Sequence, residues 1–121
     1  MNKQELLNIL EETGALQHGH FILSSGKRSR SYCQCSRLFI DSKIANKIGS
    51  ALKNKIESKI STKIDYVVAP ALGGILVGYE VSRYLNSKSI FFERTNEEFE
   101  LRRGFEIEEN QNVLFIEDVI T

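Results

Sequence analysis

The stretch Val113-Leu114-Phe115-Ile116-Glu117-Asp118-Val119-Ile120-Thr121 decides how this chain is read. Four apolar residues run directly into two acids. An uninterrupted apolar run of that length is the pattern of a strand buried in a parallel sheet. In open α/β sheets, ligands bind just beyond the carboxyl ends of the strands. Glu117 and Asp118 fall at such an end, and Thr121 opens the turn that follows. Paired carboxylates and then a hydroxyl suit a ligand that presents vicinal hydroxyls and then a phosphate, which is the chemistry of a phosphorylated ribose. The competing reading of the same residues is an ordinary buried strand that ends in a solvated acidic turn.

Working outward, the upstream residues supply the rest of such a sheet. Tyr66-Val67-Val68-Ala69-Pro70 reads as a strand, 73–85 as a helix, 89–93 as a second strand, and a charged excursion runs to Gly104 before the strand at 113. Strand, helix, strand, excursion, strand predicts a parallel α/β sheet with right-handed crossovers. Before it, Asp41 can cap a helix in which Ile44, Ile48, Leu52, Ile56 and Ile60 recur every four residues, the lysines between them forming a solvated face. At the start, Asn2 and Glu5 form a capping box, Leu6, Leu7 and Leu10 line one side, and Gly14 stops the helix, which predicts a helix over 3–13. Between the two helices, 21–38 reads as two short strands joined by the polar turn SSGKRSRS, which carries Lys27, Arg28 and Arg30.

With 121 residues, 41% of them hydrophobic and 26% charged, the chain makes one domain around one core. A net charge of zero gives no electrostatic reason to expect nucleic acid or an acidic membrane surface, so specificity is local. The apolar runs are too short to span a bilayer, and the polar start MNKQE lacks the core of a signal peptide; a cytoplasmic location is the expectation. Cys33 and Cys35 have no second cysteine pair, so a zinc cage would need His18 or His20. If 31–36 is a strand, both thiols share one face, and two buried thiols are the simpler account. No P-loop and no G-x-G-x-x-G after a strand is present, so nucleoside triphosphate and dinucleotide folds have no support.

Two further segments carry candidate chemistry. Ala69-Pro70-Ala71-Leu72-Gly73-Gly74 lies where the first core strand hands over to a helix. Glycines there let backbone N–H groups approach diphosphate oxygens at a helix N-terminus, or they simply make a tight turn. The excursion FFERTNEEFELRRGFEI holds Arg94, Arg102 and Arg103 between two strands. It is either a solvated ribbon or a mobile arm that brings guanidinium groups to a leaving diphosphate.

Taken together, HFILSSGKRSRSYCQC, VVAPALGGILVGYEVSR, FFERTNEEFELRRGFEI and VLFIEDVIT resemble the orotate phosphoribosyltransferases, a branch of the type I phosphoribosyltransferase family, over nearly the whole chain. The resemblance implies a parallel sheet flanked by helices, with an N-terminal helix and hood over 1–40 and an α/β core over 41–121 that is cut inside the ribose-phosphate loop. It implies a magnesium-dependent transfer of the phosphoribosyl group from 5-phosphoribosyl-1-diphosphate to orotate, by a homodimer whose arm acts across subunits. Magnesium would be held mainly through the substrate, with no dedicated protein metal site. Glu117 and Asp118 would hold the ribose hydroxyls, and Val119, Ile120 and Thr121 would begin the loop for the 5-phosphate, with Thr121 also meeting orotate. Leu72 and Gly73 would lie in the diphosphate loop, Arg94 would reach the neighbouring subunit's diphosphate, and Ser24, Lys27, Cys33 and Gln34 match the hood that selects the base.

The chain also departs from that pattern. Many relatives have lysine at the position of Ser24, an aromatic pair at Cys33-Gln34, and Lys plus His in the arm, where this chain has Glu97 and Glu98 near Arg102. A purine phosphoribosyltransferase and a non-catalytic sensor of phosphoribosyl diphosphate are the alternatives.

Overall fold

A computed structural model of the chain describes residues 1–120. In chain order it contains α1 (Lys3–Glu12), β1 (Leu16–Ile22), β2 (Arg28–Cys33), a 3-10 turn (Cys35–Phe39), α2 (Ser42–Glu57), β3 (Tyr66–Pro70), α3 (Gly74–Leu85), β4 (Lys88–Thr95), β5 (Glu98–Glu100) and β6 (Val113–Phe115). The capping box at Asn2 forms: its side chain accepts from the Glu5 N–H at 2.9 Å, and Glu5 Oε2 accepts from the Asn2 N–H at 2.8 Å. Asp41 caps α2 by accepting from the Lys43 N–H at 2.8 Å.

The core sheet has the order β5-β4-β3-β6. Both β4 and β6 run parallel to β3, and β5 folds back antiparallel on β4. β3 is central, and this is why its residues 66–69 are buried on both faces, as a continuous apolar run requires. One face packs Val67 with Ile64, Val77 and Val81, joined by Leu52, Ile56 and Leu85. On the opposite face Tyr66, Val68 and Ile90 meet Phe92, Phe105, Ile107 and Val113. Helix α3 lies close on the sheet because Gly78 leaves room: a Cβ there would stand 2.9 Å from the Ala69 Cβ and 3.3 Å from Ile116 Cγ2. Gly49 does the same for α2 against α3, where a Cβ would meet Glu80 Cγ at 2.8 Å and the Tyr84 ring at 2.9 Å.

β6 is short, and its register is set at its start. The Asn112 N–H donates to Asp65 Oδ2 at 2.8 Å, its side-chain amide donates to the Lys63 carbonyl at 3.0 Å, and its carbonyl accepts from the N–H groups of Asp65 and Tyr66 at 2.9 and 3.1 Å. From that clasp the ladder runs Tyr66 to Val113, Val67 to Leu114 and Val68 to Phe115, and the Ile116 N–H donates to the Val68 carbonyl at 3.0 Å.

Four local expectations are corrected. The 113–116 strand is not buried on both faces, since β6 is the sheet edge and Phe115 is 69% exposed. The helix opened by Asp41 stops at Glu57, short of Ile60. Arg28 and Arg30 belong to β2 rather than to the turn before it. The strand ends at Cys33, and the chain coils into the 3-10 turn at Cys35, so the alternation that would bury both thiols is broken and Cys33 is exposed. No helix among the described residues is long and apolar enough to cross a membrane.

Candidate functional site

The turn after β3 and the acids after β6 meet at the same sheet edge. A Cβ built on Gly73 would lie 2.7 Å from Asp118 Oδ2 and 2.9 Å from Oδ1, and one on Gly74 would lie 3.3 Å from Glu117 Oε1. Gly73 has an ordinary φ of −62, so glycine is required here by space rather than by backbone conformation. The turn is held on its other side by the Ala71 N–H, which donates to the Phe92 carbonyl at 2.8 Å. Its Ala71-Leu72 peptide is cis, and the Leu72 side chain is 84% exposed rather than packed into the core. Helix α3 begins at Gly74 with no side-chain cap, so N–H groups of its first turn lie at this edge, that of Ile75 donating to the Leu72 carbonyl at 3.3 Å.

The two acids are electrostatically linked. The Asp118 N–H donates to Glu117 Oε1 at 3.0 Å. Desolvation first, and then the side-chain hydrogen bond and like charge of Asp118, push the Glu117 carboxyl above its ordinary value, and the backbone N–H bond works against them. A pair of carboxylates held this way favours ligands that bring hydroxyl donors or a cation to it. Their oxygen donor set suits Mg2+, which takes one or two carboxylates and completes its shell with substrate oxygens and water.

The hood reaches this edge through the 3-10 turn. A cavity of about 160 Å³ is lined by Cys35, Leu38, Val77, Ile116, Glu117 and Asp118, so the segment after β2 forms one wall beside the acids. Gln34 is fixed there: its N–H donates to the Ala15 carbonyl at 2.7 Å, its Oε1 accepts from the Tyr32 hydroxyl at 2.9 Å, and its Nε2 donates to Ser36 Oγ at 2.9 Å. Ser24 and Lys27 stand exposed in the hairpin turn, where the Lys27 carbonyl accepts from the Leu23 N–H at 2.8 Å. Val119 and Ile120 are exposed beyond the acids, and Thr121 lies outside the described residues. A roomier hollow of about 670 Å³ between α1 and α2 has no acidic residue in its walls, whereas the smaller one holds both acids.

The sequence reading expects Arg94 to reach the neighbouring subunit's diphosphate, and the structure has it exposed on the β4–β5 hairpin with its guanidinium 5.3 Å from the Phe99 ring centroid. The same reading missed two features. Arg103 forms a bidentate pair with Glu93, both contacts at 2.9 Å, which lowers the carboxyl pKa of Glu93. Cys35 is the second, and its position beside the acids was signalled only by the C-x-C spacing next to the hood match.

A central parallel strand ending in a glycine turn that abuts an acidic pair on the neighbouring strand end defines the type I phosphoribosyltransferase class. The solved structures agree in fold: orotate phosphoribosyltransferase from Aeropyrum pernix aligns with a TM-score of 0.70 at 22% identity, covering 91% of this chain and 62% of that one. An adenine phosphoribosyltransferase aligns at 0.68 and 18% identity, covering 88% of this chain and 69% of that one. No family model matches the chain. Among curated proteins, the orotate phosphoribosyltransferase of Thermoanaerobacter sp. (strain X514) is 43% identical over 121 residues, all of this chain and 62% of that protein. That of Thermotoga maritima is 45% identical over 113 residues, 93% of this chain and 59% of that protein. The chain is similar to orotate phosphoribosyltransferases over its whole length and spans about 62% of the length of such relatives.

Proposed function

We propose that the protein formed by this chain transfers the 5-phosphoribosyl group of 5-phosphoribosyl-1-diphosphate to orotate, releasing diphosphate and making orotidine 5'-monophosphate, the reaction that leads to UMP in pyrimidine synthesis. The observation that carries the proposal is the close approach of Gly73 to the Asp118 carboxylate, which puts an N–H-lined anion turn and a hydroxyl-binding acid pair side by side. That spacing matches a ligand whose diphosphate and ribose hydroxyls are on adjacent carbons.

Bond breaking at the ribose anomeric carbon builds positive charge on the sugar and negative charge on the leaving diphosphate. Asp118 and Glu117 accept hydrogen bonds from the ribose hydroxyls and stabilise the positive ring, while the N–H groups at the start of α3 and the Leu72-Gly73 turn take the diphosphate. Magnesium, if bound beside Glu117 and Asp118 mainly through substrate oxygens, would supply further charge neutralisation on the diphosphate. Ser24, Lys27, Cys33 and Gln34 form the side that meets the base, with Gln34 locked by its three hydrogen bonds. Val119, Ile120 and Thr121 lead into the 5-phosphate loop. The protein works in the cytoplasm as a homodimer, and Arg94, projecting on the hairpin away from its own acids, reaches the partner's diphosphate.

Orotate-dependent release of diphosphate, measured on a full-length version with magnesium, tests the reading. Release driven by a purine base instead of orotate would reassign the base, and tight binding of phosphoribosyl diphosphate without turnover would make the protein a sensor.

A further inference from the structure

Cys33 and Cys35 are brought together by the change from strand to 3-10 turn, with their sulfurs 3.4 Å apart. Cys33 is exposed at the end of β2, and Cys35 is half-buried in the wall of the cavity that it shares with Glu117 and Asp118. Neither thiol has a role in the reaction described above that requires a sulfur. We infer that the two form a reversible dithiol–disulfide pair whose reaction partner is a low-molecular-weight disulfide, and that its oxidation weakens ligand binding at the acid pair. The second half of this inference rests on the ribose assignment of Glu117 and Asp118.

The chemistry balances as two exchange steps. The exposed Cys33 thiolate attacks one sulfur of the small disulfide; the bond between its sulfurs breaks, one thiolate leaves and is protonated, and Cys33 carries the other half as a mixed disulfide. Cys35 then loses its proton to water and attacks the Cys33 sulfur, the mixed disulfide breaks, and the second small thiolate leaves. Two protein thiols and one small disulfide become one protein disulfide and two small thiols. The order of attack follows from exposure and ionisation. Burial first, then the hydrogen bond and charge of Cys33, and finally Asp118 push the Cys35 thiol up to about 12, so it is the poorer first nucleophile. Two of those causes come from Cys33 itself and vanish once Cys33 is capped, which readies Cys35 for the second step.

Closing the disulfide draws Cys35 toward Cys33 and away from the cavity wall. Leu38 and Phe39 follow Cys35 in the same 3-10 turn and line the same cavity, so the movement is passed to the surroundings of Glu117 and Asp118. Disulfides that do form in a reducing compartment are usually transient, as a reversible pair would be.

The test uses glutathione disulfide. Incubated with it, the chain should lose both free thiols and its intact mass should fall by two hydrogens, with dithiothreitol restoring both. Cys35→Ser should instead hold a stable glutathione adduct on Cys33, and Cys33→Ser should react slowly. A native chain that keeps two free thiols, or that stops at the adduct while Cys35→Ser reacts, overturns the pair. In a full-length version, phosphoribosyl diphosphate affinity of the oxidised protein should drop several-fold below that of the reduced protein, whereas the oxidised-to-reduced ratio of Cys33→Ser, which can form neither the adduct at Cys33 nor the disulfide, stays at unity whatever its basal affinity. Equal affinity of fully oxidised and reduced native protein overturns the coupling. If neither state binds phosphoribosyl diphosphate, the ribose assignment fails and the thiol result stands by itself.

Discussion

Asp118 and Glu117 are adjacent in sequence but differ in what they contribute, and two substitutions separate them. Asp118 abuts the glycine turn, and under the proposed function it is the acid that meets a ribose hydroxyl. Asp118→Asn in a full-length version should keep the fold and lose about 1.5 to 3 kcal/mol of binding, roughly tenfold to a hundredfold. Near-normal turnover with unchanged substrate affinity would remove Asp118 from the site. Glu117 carries the electrostatic cost, because desolvation and then the Asp118 side chain hold its carboxyl above the usual range. The folded chain therefore binds that proton more readily than the unfolded chain, and ionising Glu117 costs stability. The cost is fully present above the folded pKa and disappears as pH falls below the unfolded value of about 4.3. Glu117→Gln should thus raise the Tm at neutral pH, with the gain fading in acid. Thermal unfolding at pH 7 and pH 4 checks this, and a gain that is absent at pH 7 or equal at both would contradict the sign. The two acids were legible in the sequence because they follow an apolar run. Their contact with Gly73 was not, since the parallel pairing of β3 and β6 spans a long stretch of intervening chain.

The elements that the sequence defines best are those punctuated by glycine or bounded by a clean apolar run. β3 lies where Tyr66 to Pro70 predicts it, and α3 begins one residue after the predicted start. What the sequence could not show is which faces find partners: β6 has the apolar pattern of a buried strand, yet it lies at an edge. The Glu93–Arg103 pair was hidden for a similar reason, because it depends on Asn96 and Glu97 turning the hairpin with positive φ. Glycines in and before α3 give a sharper test of the packing. Gly78→Ala forces a methyl against the Ala69 Cβ and Ile116, neither of which can retreat, and overpacking of about 1 to 3 kcal/mol exceeds the roughly 1 kcal/mol that alanine gains in a helix. Gly73→Ala meets only the movable end of the Asp118 side chain. Denaturant unfolding should therefore show Gly78→Ala destabilised by about 1 to 2 kcal/mol and Gly73→Ala close to native, while phosphoribosyl diphosphate binding in full-length versions should be lost by Gly73→Ala. Equal stability losses in the two would mean that the turn is not free to adjust.

Across the molecule, charge and exposure are distributed so that one edge and one hairpin point outward. Phe115 on the open edge of β6, with Phe99 and Leu101 beside a shared apolar hollow, makes the isolated chain prone to edge-to-edge association. Phe115→Lys should shift the sedimentation of the chain toward monomer, and unchanged association would place the contact elsewhere. The outward hairpin predicts a different kind of coupling. If Arg94 serves the partner's site, then mixing full-length Arg94→Ala with Asp118→Asn should restore activity through hybrid dimers that contain one intact site. Hybrids that form but stay inactive would confine Arg94 to its own subunit. The clasp between Asp65 and Asn112 works at longer range still. It sits at the opposite end of the β3–β6 ladder from Gly73 and Asp118, and only three residue pairs separate the two ends. The gap between the anion turn and the acids is therefore set like the jaws of a calliper, by a pin at the far end. A slip of a single residue there would turn over the faces of β6 and carry Glu117 and Asp118 out of step with Gly73, so the placement of the acids rests on two side chains at the far end of the ladder.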